Sequence, residues 1–245
     1  ALLYATNGGT IKVGNLNGGI STFTANGDGA NGIIAGGTGI KDESSYGLAE
    51  TSKVYVYNST FDLQGWNNHV ADVVYGGYAY LEKVASTTGK NGSYSVGQAS
   101  ALANDFGNGV VEVKDFKTIT YGNRSAGAYV IGGGIISAEN SSFSSIMDAG
   151  LVTASGGTFK VKDSSIIGQI AVRNRGGITK DSNSVFDNST FKVIDNYEFT
   201  ELKEWFPEYN PNEPEKGGYI WERKLFAKAR SAKKNVEQNK GEELL

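Results

Sequence analysis

The sequence predicts an all-β solenoid, in which short strands stack in successive coils. The first observation is a glycine pair, once Gly-Asn, that recurs seven times after short, mostly apolar runs: Gly8-Gly9, Gly36-Gly37, Gly76-Gly77, Gly107-Asn108, Gly133-Gly134, Gly156-Gly157 and Gly176-Gly177. Internal repetition at intervals of about 20 to 50 residues is typical of solenoids. Glycine adopts positive φ without a steric penalty, so each pair is expected to form a sharp corner.

The second observation is the pattern apolar-x-apolar-x-Asn/Asp, which follows several of the glycine pairs. It occurs at Ile11-Val13-Asn15, Val54-Val56-Asn58, Val111-Val113-Asp115, Ile136-Ala138-Asn140 and Phe159-Val161-Asp163. Alternation with a period of two predicts a half-buried strand, and Asn or Asp at its end predicts a turn and a stacked ladder. Another apolar residue often lies three positions further on, at Phe61, Phe143, Ile166 and Phe191. Each coil is therefore expected to contain two or three short strands.

The third observation is that the coils differ in length. The interval between glycine pairs falls from 40 residues, between Gly36 and Gly76, to 20 residues, between Gly156 and Gly176. The turn loops are therefore expected to be long in the first half, with the largest insertions at 38–52 and 85–100. Functional residues often lie in loops of this kind.

The predicted solenoid covers residues 1–193. Residues 194–217 contain all three prolines of the chain, which exclude a central strand and predict an irregular cap. Residues 218–245 are expected to form a short α-helix and tail, because Trp221, Leu225 and Ala229 recur at helical spacing. The helix is expected to cap the solenoid, with partner binding as the alternative.

The N-terminal residues already belong to the repeat. Ala1-Leu2-Leu3-Tyr4 is an apolar run, and Gly8-Gly9 follows it, so the sequence starts within a coil. A parallel solenoid that starts within a coil has an unpaired strand edge, which proteins normally cover. We therefore expect a missing segment or a second chain to cover the N-terminal coil.

Composition narrows the classes of function. The formal net charge is only −3, so no overall basic field predicts nucleic acid binding. The chain has no cysteine and therefore neither disulfides nor a thiolate metal site. No run of about 18 apolar residues predicts a membrane span, and no motif predicts a metal or cofactor. A cysteine-free chain rich in Gly, Asn, Ser and Thr favours an extracellular or cell-surface location.

These features resemble the right-handed parallel β-helix of the pectin-lyase-like superfamily. The resemblance covers residues 1–193 and is carried by the glycine corners, the Asn/Asp turns and the stacked Phe, Ile and Val. The segments NGGTIKV, ANGIIAGGTG, NSTF, ENSSF, KDSSI and DNSTF also resemble adhesin-like and autotransporter-passenger β-helices. The resemblance implies about seven to eight coils. It does not select an activity, because the superfamily contains lyases, hydrolases, epimerases and adhesive proteins.

The runs before the glycine pairs carry the candidate catalytic residues. Equivalent positions on neighbouring coils lie about 4.8 Å apart, so a site can be assembled across coils. The candidates are His69, Asp72, Asp105, Arg173 and Arg175. His69 is the only histidine and lies three residues from Asp72, so direct pairing within a strand would require a bend. A local structural role for this histidine is the alternative.

The two arginines are two residues apart and are therefore expected to share one face of a strand. There they would bind a carboxylate or sulfate on a sugar. The alternative is an outward pair of side chains on a solvated face.

Aromatic residues supply the candidate substrate-binding surface. The predicted binding residues are Trp66, Tyr75, Tyr78, Tyr129 and Asn104. Tyr55, Tyr57 and Tyr80 belong to the same stretch of chain. Exposed rings would stack against sugar faces, or they would pack beneath the two long loops. Both interpretations remain open, because tyrosine has an apolar ring and a polar hydroxyl.

The expected function is that of a secreted or surface-exposed interaction module that binds carbohydrate, such as a cell-surface glycan. The alternative is a carbohydrate-active enzyme, namely a polysaccharide lyase, glycoside hydrolase or epimerase, with its groove on the solenoid flank. Convergence of the candidate catalytic residues within about 10 Å in one groove would favour the enzyme.

Overall fold

The computed structural model describes residues 1–36, 51–65, 67–89, 101–106, 108–121, 125–154, 156–174 and 184–193. Within these ranges the chain forms 19 β-strands and no helix, and thus no helix that could cross a membrane. For residues 104–106, 174 and 193 only the backbone is described. The predicted cap at 194–217 and helix at 218–245 lie outside the described residues, as do most of the two predicted insertions.

One sheet, here called face A, has seven strands that all pair in parallel. Its strands in spatial order are β1 (Leu3–Ala5), β4 (Ile33–Gly36), β6 (Ala71–Val74), β8 (Leu102–Phe106), β11 (Ala128–Ile131), β14 (Ala149–Ala154) and β17 (Ile170–Asn174). Each neighbour comes from the next coil along the sequence.

The other sheet has 12 strands and consists of two parallel ladders, faces B and C. Face B contains β2 (Thr10–Val13), the first halves of β5 (Lys53–Leu63) and β7 (Tyr78–Thr88), β9 (Val110–Lys114), β12 (Ile135–Glu139), β15 (Thr158–Lys162) and β18 (Val185–Asp187). Face C contains β3 (Ser21–Ala25), the second halves of β5 and β7, β10 (Lys117–Thr120), β13 (Ser142–Ser145), β16 (Ser165–Gly168) and β19 (Thr190–Val193).

Every coil therefore contributes a segment to each of three faces, and the chain is a parallel β-helix. The predicted all-β solenoid and its parallel stacking are confirmed. Seven coils are described, which agrees with the expected number. Equivalent residues in the more regular neighbouring coils are 23 to 25 positions apart, as in the pairs Ser141–Ser164 and Asn188–Asp163.

The corner between faces B and C holds the predicted Asn/Asp ladder. Its residues have left-handed backbone conformations: Gly14, Asn58, Lys83, Asp115, Asn140, Asp163 and Asn188. The side-chain amide of Asn140 donates to the Asp115 carboxylate, and the amide of Asn188 donates to Asp163 Oδ1 at 2.6 Å. Asn and Asp tolerate this conformation better than other non-glycine residues. The ladder prediction is confirmed, although the corner of the first coil uses Gly14 rather than Asn15.

A second ladder of serines follows directly after this corner. Ser141 N–H donates to Ser164 Oγ at 3.0 Å, and Ser164 N–H donates to Ser189 Oγ at 3.3 Å. Each hydroxyl also donates to the carbonyl two residues earlier, as Ser164 Oγ does to Lys162 O at 2.7 Å. These bonds satisfy backbone groups that the bend removes from the sheet ladders. The sequence analysis did not identify this role.

The interior is filled by the alternate, inward residues of the three faces. On face C the rings of Phe23 and Phe61 stack with centroids 4.6 Å apart. The same column later changes to Ser86 and Thr118, whose hydroxyls form a 2.8 Å hydrogen bond. Phe116, which occupies the serine position of its coil, is fully buried and packs against Phe143. Two inward positions, the serine position after the corner and the face C position two residues later, therefore compensate each other. Where one holds phenylalanine, the other holds a smaller side chain.

The glycine corners between faces A and B follow the prediction in most described coils. Positive φ occurs at four of the predicted corner glycines, Gly8, Gly76, Gly133 and Gly156. In the coil with the Gly107-Asn108 pair, Asn108 has positive φ. The corner expected at Gly36 is wrong, because Gly36 lies in β4 and pairs with Val74. In that coil the backbone carbonyl of Ser52 accepts a hydrogen bond from Tyr78 N–H, just as the carbonyl of Gly77 accepts one from Val110 N–H. Ser52 therefore occupies the position that Gly77 has in the next coil.

The two glycines of one pair are expected to respond differently to substitution. Gly76 has φ +78 and open space where an added methyl group would lie, so Gly76→Ala should destabilise by about 1–2 kcal/mol. A Cβ on Gly77 would lie 2.1 Å from Ala35 O, so Gly77→Ala should destabilise by about 3 kcal/mol or more. Chemical denaturation measures both. Gly76→Asn is the control and should be nearly neutral; equal losses for the two alanines would contradict this account.

Candidate functional site

Three of the predicted site residues lie in one outward-facing column of face A. The register runs from Asp72 through Ala103, Tyr129 and Val152 to Arg173. Four strand spacings separate Asp72 from Arg173, which is about 19 Å. The column therefore does not bring these two side chains into one compact centre, although the catalytic assignments themselves stay predictions.

His69 and Asp72 are connected through a third residue that the sequence analysis did not single out. The backbone N–H of His69 donates to Asn31 Oδ1 at 3.0 Å, and Asn31 Nδ2 donates to Asp72 Oδ2 at 3.0 Å. His69 is 7% exposed and Asn31 is 8% exposed. Asn31 belongs to the preceding coil, 38 positions earlier, and the long insertion between them removes the regular spacing that would have identified it.

Arg173 forms a buried ion pair with Asp148. Arg173 is fully buried and Asp148 is 3% exposed. Asp148 lies directly before β14, and its N–H donates to Ser145 Oγ at 3.0 Å. The guanidinium charge is therefore compensated within the chain. The alternative in which the arginine lies on a solvated face is wrong for Arg173, because its side chain is fully buried and paired with Asp148.

The remaining predicted residues have varied surroundings. Trp66 and Arg175 lie outside the described residues. Asn104 and Asp105 lie in β8, where the register shifts opposite Val73 and Val74, and only their backbone is described. Tyr75 is half-buried at the corner before Gly76, with φ 52. Their assigned roles stay predictions.

Four tyrosines form an outward surface on face B, here called the tyrosine platform: Tyr55, Tyr57, Tyr78 and Tyr80. Ring centroids are 5.7 Å apart for Tyr55 and Tyr78 and 5.8 Å apart for Tyr57 and Tyr80. The platform arises from strand periodicity, because the intervening Val54, Val56, Ala79 and Leu81 are fully buried. Tyrosines in β5 thus lie next to tyrosines in β7, one strand spacing away.

Charged side chains surround the platform on two sides. Lys12 Nζ lies 5.5 Å from the centroid of the Tyr55 ring, at the distance of a cation–π contact. On the opposite side, Tyr78 OH donates to Glu112 Oε2 at 2.8 Å and Tyr80 OH donates to Glu82 Oε2 at 2.9 Å. These bonds fix the two phenol groups. The surface therefore has cations at one end, aromatic rings in the middle and carboxylates at the other end.

A shallow cavity of about 520 Å³ lies at the cationic end of the platform. It is lined by Gly8, Thr10, Thr51, Lys53, Tyr55 and Tyr78. Lys53 is exposed, and the two tyrosines are half-buried. The cavity thus combines aromatic surface, a hydroxyl-bearing wall and one exposed cation, which are the groups that a polar ligand with an apolar side requires.

Burial and the carboxylate contacts raise the pKa of both ordered phenols. For Tyr80, burial and the hydrogen bond to Glu82 raise the pKa to about 12. For Tyr78, burial and the hydrogen bond to Glu112 raise the pKa further. Both hydroxyls therefore remain neutral hydrogen-bond donors throughout the neutral range.

The described residues contain no cluster of three or more His, Cys, Asp or Glu side chains that could hold a metal ion. No family model, curated protein or solved structure matches the chain at a significant level.

Removal of one partner from the buried ion pair should destabilise the fold strongly. Arg173→Met leaves the Asp148 charge buried without its guanidinium partner, so the free energy of unfolding should fall by about 3–5 kcal/mol. The matched control is Lys162→Met, because Lys162 forms an exposed pair with Glu139 and should lose less than about 1 kcal/mol. Urea denaturation measures both, and Arg173→Met/Asp148→Leu should recover part of the loss. Equal effects of Arg173→Met and Lys162→Met would contradict the assignment.

Tyrosine ionisation should destabilise the fold in alkali. The pKa of Tyr80 is raised from about 10 in the unfolded chain to about 12, so its contribution to stability is complete below pH 10. That contribution should be lost as the pH rises from about 10 to about 12. Absorbance titration of the phenolate checks this. In Glu82→Gln the pKa of one tyrosine should fall, and an unchanged titration curve would contradict the role of Glu82.

Proposed function

We propose that the protein is a secreted or cell-surface interaction module that binds carbohydrate through the tyrosine platform. The observation that carries the proposal is the arrangement of four outward, half-buried tyrosines between Lys12 and Lys53 on one side and Glu82 and Glu112 on the other. In this proposal the chain is a right-handed β-helix of the pectin-lyase-like type, used in the manner of an adhesin or autotransporter passenger.

The chemistry of the platform supports a saccharide ligand. Sugar rings present C–H groups on their faces and hydroxyl groups at their edges. The tyrosine rings offer apolar area for the faces, and their side chains lose few rotatable bonds on binding. Carboxylates of Glu82 and Glu112 accept hydrogen bonds from hydroxyl groups. Because their positions are fixed by the two phenols, little ordering is needed when the ligand binds.

The spacing of the rings also supports an extended ligand. Tyr55 and Tyr57 lie in one strand, and Tyr78 and Tyr80 lie beside them in the next. The long axis of the platform therefore crosses two coils, and the cavity beside Lys53 extends it to the first coil. A chain of several sugar units would contact more of this surface than a single sugar.

The proposal is tested by glycan-array binding followed by calorimetry on the best ligand. Tyr55→Ala and Tyr78→Ala should each weaken binding about tenfold or more, because each removes a stacking ring. The control is Tyr4→Ala, since Tyr4 is 60% exposed on face A and lies outside the platform. Equal losses for Tyr4→Ala and Tyr78→Ala would contradict the proposal.

The same samples distinguish a binding module from a carbohydrate-active enzyme. Each bound glycan is incubated with the protein, and its products are analysed for chain cleavage or epimerisation. Binding without turnover agrees with the proposed module. Turnover that is lost in Asp72→Asn and retained in Tyr78→Ala would replace it with the enzyme.

A further inference from the structure

A second surface of the molecule lies along the corner between faces B and C. Two cavities of about 430 and 320 Å³ follow this corner, and both are lined by Lys117 and Asn140. They extend from Ile20 and Asn58 near one end to Asn188 and Thr190 at the other. We call this surface the corner groove. It is distinct from the tyrosine platform, and none of the platform tyrosines lines it.

The corner groove contains a residue that breaks the rule of its column. The described corner residues are Gly, Asn or Asp in every coil except one, where Lys83 has φ 55. Lysine is poorly suited to the left-handed conformation, which disfavours residues with a Cβ unless a short polar side chain stabilises it. Departures from local rules of this kind concentrate at functional sites.

The same coil also lacks the other polar groups of the corner. Next to the corner, the preceding coil has Ser59, whereas this coil has the buried Val84 and the following coil has Phe116. At the next outward position the two neighbouring coils have Thr60 and Lys117, whereas this coil has the small, exposed Ala85. Lys83 and Ala85 both line the groove, and Ala85 contributes no polar group to it.

Two lysines in the groove are available to a ligand. Lys83 and Lys117 are both exposed, and their backbones are one strand spacing and two residues apart, about 8 Å. Among the described residues neither forms an ion pair, whereas Lys114 and Lys162 pair with Glu82 and Glu139. The long lysine side chains can reach a single group between them.

One carboxylate also lines this part of the groove and has to be included in the charge balance. Asp115 lies between the two lysines and accepts a hydrogen bond from the Asn140 amide. In the cavity that both lysines line, two cations and one anion leave an excess of one positive charge, and Asp163 lines the adjoining cavity. Adjacent unpaired cations repel each other, so this arrangement does not serve the stability of the free protein.

We propose that the corner groove binds an oxyanion of the sulfate or phosphate ester type, carried on an extended polymer, with Lys83 and Lys117 as its contacts. Ammonium groups form strong hydrogen bonds with such oxygens. The polar side chains along the rest of the groove, among them Asn140, Ser142 and Ser165, supply donors for the polymer backbone. The proposal concerns a different surface from the carbohydrate platform and does not depend on it.

The test measures binding of dextran sulfate, dextran phosphate and uncharged dextran at low ionic strength. Dextran sulfate or dextran phosphate should bind, and whichever binds identifies the ester. Lys83→Asn and Lys117→Ser, which restore the residues used in other coils, should each weaken binding about tenfold by removing a charge-assisted hydrogen bond. The control Lys160→Ser removes an exposed lysine from face B and should leave binding unchanged.

The stability of the same variants makes the test specific. Lys83→Asn should raise the melting temperature by about 2 °C, because asparagine accepts the left-handed conformation more readily. Binding loss together with higher stability separates a role in binding from a role in folding. Tyr78→Ala should leave binding of the charged polymer intact. Absence of binding to both charged polymers, or an equal loss in Lys160→Ser, would overturn the proposal.

Discussion

In-register parallel hydrogen bonding between successive coils is the constraint on which the rest of this structure depends. Each strand pairs with the equivalent strand of the next coil, so every side chain stacks on its own column about 4.8 Å from its neighbours. A residue that suits a corner must therefore recur in every coil. A charged side chain must also be compatible with the side chains of the same column in the two neighbouring coils. One outward column of face B accordingly alternates in sign through Glu82, Lys114, Glu139, Lys162 and Asp187.

The corner ladder avoids repulsion between stacked like charges by placing a neutral residue between its carboxylates. Asp115, Asn140, Asp163 and Asn188 follow one another, so each carboxylate lies beside a carboxamide. Two stacked aspartates would repel each other, whereas an amide donates a hydrogen bond to the neighbouring carboxylate. The alternation separates the carboxylates by two strand spacings, about 10 Å, where solvent and salt screen them. The repeat therefore keeps its geometry while the chemistry of its corner residue varies.

The fold was predictable because its signals are local. A period of two identifies inward and outward residues, and Asn or Asp at the end of such a segment identifies a corner, without knowledge of the neighbouring coil. The contacts Asn31–Asp72 and Arg173–Asp148 were not predictable in this way, because they join different coils at separations of 41 and 25 residues. Insertions of unequal length remove the alignment between coils. For the same reason Gly36 resembled a corner residue and proved to lie within a strand.

The position of a residue within the coil determines how readily it can acquire a binding role. Outward residues in the middle of a strand, such as the tyrosines of β5 and β7, change without altering the backbone, because the inward residues alone fill the interior. A corner residue has no such freedom, since its φ is set by the path of the chain. Binding residues are therefore expected mainly on the faces. The corner residue Lys83 adopts a conformation that disfavours residues with a Cβ, and this departure is the reason for the binding role that we propose for it.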